Sequence, residues 1–158
     1  MKLIFNFAVL VSLLVLAACS SSRTLPETAN EVARKVQSKD FSIRANYANP
    51  MRGSQLYLTS EYDLRIKNDS AFAFLPYYGV AYMAPFNPAE GGIKFAEPME
   101  DYSLVPNKKN NGWFVRFKVN AREYNYVFSI TIFANGNSSF TVTSYQRDPI
   151  TFSGEMKM

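Results

Sequence analysis

From Trp113 to Ile132 the chain alternates its side chains with a period of two, and few folds other than a half-buried antiparallel sheet accommodate such a run. Trp113, Val115, Phe117 and Val119 face one way while Phe114, Arg116 and Lys118 face the other. Tyr124, Tyr126, Phe128, Ile130 and Ile132 then repeat the pattern against Val127 and Thr131. Asn111-Gly112 and Asn135-Gly136 flank these runs, and such pairs predict hairpins because they accept the positive φ of tight turns. Phe140 and Val142 begin another strand, and Asp148-Pro149 predicts a turn into Ile150-Thr151-Phe152.

The same period governs the earlier chain. Phe41, Ile43, Ala45 and Tyr47 oppose Ser42, Arg44 and Asn46, and Asn49 to Gly53 breaks the run. Leu56, Leu58, Tyr62, Leu64 and Ile66 read as one bent strand or two, Lys67 to Ser70 as a turn, and Phe72 with Phe74 as a further strand. Pro85 and Pro88, followed by Gly91-Gly92, predict a long loop through Tyr82 to Pro88. Ile93 to Ala96 and Asp101 to Val105 are expected as short strands. The whole predicts a mainly β domain, an antiparallel meander of about eight to ten strands forming a sandwich or a partly closed barrel. One short helix precedes it: Thr28 to Glu31 has the form of a capping box, with Val32 and Val36 on one face and an end near Lys39.

The N-terminus carries an address. Lys2 precedes an apolar run from Leu3 to Leu16, and Leu16-Ala17-Ala18-Cys19 has the layout of a lipoprotein signal peptide. The run is shorter than the ~20 residues a spanning helix needs, so residues 1–18 are expected to be cleaved and Cys19 acylated. Each buried methylene adds ~0.8 kcal/mol, and two or more acyl chains hold a protein stably at a membrane. Residues 19–27 read as the lipidated cysteine and a tether, and 28–158 as one mostly β domain. With Ser20 after the cysteine and no acidic residue before Glu27, resemblance to sorting patterns implies the outer membrane, facing the periplasm.

Composition removes several classes of chemistry. The chain has no histidine, which excludes Ser-His-Asp and Cys-His sites and every His-bearing zinc site. Its one cysteine is assigned to lipid, so no thiol is left for catalysis, a disulfide or a metal. Basic residues number 17 against 13 acidic ones without clustering, which is no nucleic-acid footprint. No metal or cofactor is expected.

Several segments carry a resemblance. Leu75-Pro76-Tyr77-Tyr78-Gly79, Gly91-Gly92-Ile93-Lys94-Phe95, Gly112-Trp113, Ser144-Tyr145-Gln146-Arg147 and Ile150 to Gly154 resemble the uncharacterised Bacteroidetes lipoproteins of domain-of-unknown-function family 4251, from about Thr28 to Glu155. The resemblance implies a small exported, mostly β lipoprotein and brings no catalytic residues.

Four aromatics escape strict alternation: Tyr77, Tyr78, Tyr82 and Phe86, in the irregular middle of the chain. They are the candidate contact surface for an envelope protein or glycan, because loops on a rigid sheet carry binding and tyrosine covers area at small entropic cost. Glu97, Glu100 and Asp101 are candidates for acid-base work or cation binding, although a solvated loop accounts for them too, and Glu61 and Asp63 read as a solvent face. Asp69-Ser70-Ala71 resembles a short O-glycosylation sequence of envelope proteins, which makes Ser70 a modification candidate. The expected function is a non-enzymatic binding or interaction module. The alternatives are a barrel carrier of a small apolar ligand and a carboxylate-dependent glycan-acting enzyme.

Overall fold

The computed structural model describes residues 25–83, 91–109, 111–122 and 124–158. They form a helix, α1 (Leu25–Gln37), and nine strands: β1 (Asp40–Pro50), β2 (Leu56–Lys67), β3 (Ser70–Leu75), β4 (Ile93–Pro98), β5 (Glu100–Asn107), β6 (Gly112–Ala121), β7 (Tyr124–Phe133), β8 (Asn137–Ser144) and β9 (Arg147–Met156). One sheet contains all nine in the order β4-β3-β2-β1-β9-β8-β7-β6-β5, every pairing antiparallel. It curls into a nearly closed barrel, so the partly closed barrel stands and the sandwich does not.

The closure has a covalent cause. Eight antiparallel steps separate β4 from β5, so the two run in the same direction, and only Met99 lies between them. They behave as one strand bent at Pro98-Met99, whose first half pairs with β3 and second half with β6. The chain itself therefore bridges the two edges, leaving few unpaired ladder groups exposed.

Alternation fills the interior as the sequence predicts. Val115, Phe117, Val119, Tyr126, Phe128, Ile130 and Ile132 are all buried. Phe117 stacks on its cross-strand partner Phe128 at 5.0 Å between ring centroids, and Phe140 on Phe152 at 5.2 Å. Stacked pairs of this kind add about 0.5–1.5 kcal/mol each beyond their burial.

Three sequence expectations are corrected and one open alternative is settled. The helix begins at Leu25, three residues before Thr28, because Pro26 suits a first helical turn and Glu27 complements the N-terminal dipole. Residues Leu56 to Lys67 form a single strand. Tyr47 points outward instead of sharing a face with Phe41, Ile43 and Ala45, because a bulge between Ala45 and Tyr47 inserts one residue and reverses the phase. Asp148-Pro149 lies inside β9; the turn is Tyr145-Gln146, and Pro149 is tolerated beside the register shift near the start of its strand. Both Asn-Gly hairpins form, with Gly136 at φ 87°.

Helix α1 packs Val32 and Val36 at one end of the barrel and ends in a left-handed Lys39, φ 52°. Lys39 pairs with Asp69 of the β2–β3 turn at 2.8 Å, and Lys35 Nζ donates to the Lys157 carbonyl at 2.9 Å. The opposite end of the barrel is left to turns.

Candidate binding site at the turn end of the barrel

Three segments meet at that end: the loop between β1 and β2, the stretch after β3, and the β8–β9 turn. The stretch pairs with the turn through backbone. Ala81 bridges Arg147, the Tyr82 N–H donates to the Gln146 carbonyl at 2.8 Å, and the Asp148 N–H to the Val80 carbonyl at 3.0 Å. This explains why residues 77–82 hold a defined path without strand alternation.

Asp148 is the hub. Its side chain is 1% exposed, and its carboxylate accepts from the Tyr82 hydroxyl and from the Val80 N–H at 3.4 Å, while Arg52 Nε approaches to 3.7 Å. The Tyr82 hydrogen bond holds its carboxyl below the usual range, helped by Val80 and Arg52 and opposed by burial. The same bond pushes the Tyr82 hydroxyl up, since losing its proton would set two anions together. Tyr77, pushed up mainly by burial, directs its hydroxyl to the carbonyls of Val80 and Asp148, each at 3.1 Å.

Arg147, the residue beside the hub, turns into the barrel mouth and is 5% exposed. Its guanidinium carbon lies 3.9 Å from the Tyr124 ring centroid, 4.6 Å from Tyr77 and 5.9 Å from Tyr126. A cation over several ring faces is stabilised by their quadrupoles. Outside this cage several large apolar and aromatic side chains are exposed beside the charged Arg52: Tyr145 is 91% exposed, Met83 63%, Tyr82 59%, and Met51, Val80 and Tyr78 are also exposed.

The structure thus divides the candidate aromatics. Tyr78 and Tyr82 are exposed, Tyr77 is half-buried and braces the stretch, and Phe86 lies outside the described residues, as does Cys19. Ser70 opens β3 as a half-buried residue. Glu97, Glu100 and Asp101 are not brought together: Glu97 lies opposite Ala71 on β4, Glu100 accepts from Asn120 at 2.9 Å, and Asp101 pairs with Lys118 at 2.7 Å. The Lys118 hydrogen bond holds the Asp101 carboxyl low. Asp63 lies 3.6 Å from Lys157. Among the described residues no group of three or more carboxylates, histidines or cysteines is placed to hold a metal.

Sequence reasoning missed Arg147, Asp148, Arg52 and Tyr124. Asp148 sat in a dipeptide that reads as a turn, and nothing local marks a buried arginine; the one available signal was the Ser144-Tyr145-Gln146-Arg147 segment already quoted for its resemblance.

Comparison with other proteins fits this architecture. No curated protein matches the chain. The fold is similar to the crystal structure of a DUF4251 family protein from Bacteroides eggerthii DSM 20697, with a TM-score of 0.62 at 14% identity over 82% of this chain and 86% of that one. Residues 25–156 match the family model described as a domain of unknown function (DUF4251), and the chain belongs to that family.

Proposed function

We propose that the protein is a non-enzymatic lipoprotein of the cell envelope, held by lipid on Cys19 at the outer membrane and facing the periplasm. In this reading the barrel presents its turn end to an envelope protein or glycan. The observation that carries the binding role is the pairing of a tightly stacked interior with an exposed cluster of Tyr78, Tyr82, Met83 and Tyr145 on an ordered, hydrogen-bonded frame. Aromatic and methionine side chains are the enriched groups of interface centres. The carrier alternative is less well supported, because Phe117, Phe128, Phe140 and Phe152 occupy the interior where a ligand would lie. The enzyme alternative is less well supported, because among the described residues its candidates Glu100 and Asp101 are each engaged separately at the surface.

The anchor rests on the sequence Leu16-Ala17-Ala18-Cys19. Cys19→Ser should move the protein from the membrane to the soluble fraction of lysed cells. Retention of that variant in the membrane fraction would contradict the anchor. The binding role is tested by capture of envelope partners, which Tyr78→Ala and Tyr82→Ala should abolish in folded protein.

A further inference from the structure

A buried guanidinium with rings but no anion is an incomplete arrangement. Arginine stays charged at any ordinary pH, and transferring an unpaired charge from water costs far more than ring faces return. Among the described residues, Nε and Nη1 of Arg147 are buried without a hydrogen-bond partner, so three N–H groups find no acceptor there. Asp148 is adjacent in sequence but does not serve, because its carboxylate is directed to Tyr82, Val80 and Arg52. Among the described residues Arg147 forms no ion pair.

We infer that Arg147 is the receptor for a carboxylate group, entering a crevice walled by Tyr77, Tyr126, Ile93 and Ser144. As it stands the crevice is closed, without room for a water molecule, so a ligand reaches the guanidinium only when a wall moves, and a small planar carboxylate asks for the least opening. Its walls match that chemistry. Ile93, Val142 and Ile150 offer apolar contact, while the planar guanidinium supplies the fork that carboxylates accept. The Ser144 hydroxyl already donates to Gln146 Oε1, which leaves the guanidinium as the anion donor of this crevice. Entry requires the half-buried Tyr77 ring to swing aside, breaking its two hydrogen bonds of 3.1 Å. The inference names what the turn-end surface recognises and so rests on that reading.

The test uses the folded protein titrated with sodium acetate against sodium chloride at matched ionic strength, following the Arg147 Nε–H signal by nitrogen-15 resonance and the melting temperature. Acetate should shift that signal saturably in the millimolar range and raise the melting temperature by several degrees, since a ligand bound only to the native state stabilises it. N-acetylalanine should act as acetate does, and its uncharged amide should not. Arg147→Gln should lose both responses. The wild-type titration decides the matter even if that variant fails to fold: no saturable shift with acetate, an equal response to the amide, or a response to inorganic phosphate alone overturns the carboxylate assignment. If acetate is inert while Tyr78→Ala and Tyr82→Ala still abolish partner capture, the assignment falls and the contact surface stands.

Discussion

The hydroxyl of Tyr82 donates to the carboxylate of Asp148, and this bond joins the irregular stretch after β3 to the start of β9. Sixty-six residues separate the two in sequence. Because Asp148 also holds the Val80 N–H and draws in Arg52, one buried carboxylate organises three loops. The turn end is therefore a built surface, in contrast to loops ordered only by their own ends.

Asp148 should make stability depend on acid. Its folded pKa is depressed, so its contribution is present above the ordinary carboxylate value, near ~4, and is lost as pH falls through the depressed folded value. Asp148→Asn should lower the melting temperature at neutral pH and flatten the acid limb of the stability profile. Thermal melts of both proteins from neutral to strongly acidic pH check this; parallel profiles would contradict it.

Gly154 should not accept a side chain. A Cβ there would lie 1.8 Å from the Arg44 carbonyl oxygen and 2.8 Å from its carbon, both backbone atoms beside the β1 bulge. Gly154→Ala must push β1 and β9 apart, at a cost of about 1–3 kcal/mol or more for overpacking. Denaturant unfolding should show a lower midpoint with little change in slope. A variant as stable as the wild type would mean that the two strands separate more easily than their registers imply.

How far the sequence could be read depended on the range of the interaction. Phe117 and Phe128 are buried because alternation is local, and each strand's pattern states which face it buries. Asn135-Gly136 marks its hairpin because positive φ is a local demand. The bulge at Ala45 to Tyr47 left no such mark: the apolar residues keep their spacing while the backbone slips phase. Nor does Met99 announce that β4 and β5 are one strand with two different partners, which only the sheet's closure decides. At the site, exposure of Tyr78 and Tyr82 follows from their departure from alternation. Arg147 was illegible because it lies out of phase with Ile150 and Phe152 yet is buried by rings from β7 and from the stretch after β3.

The account's central claim is that the turn end, and not the barrel wall, meets the partner. Placing a photoreactive phenylalanine at Tyr78 or Tyr82 in the full-length protein, with exposed Arg116 of β6 as the wall control, tests this in intact cells. The account predicts a discrete adduct from both turn-end positions and none from Arg116. Adducts from Arg116 alone, or none from Tyr78 and Tyr82 in correctly folded protein, would contradict it.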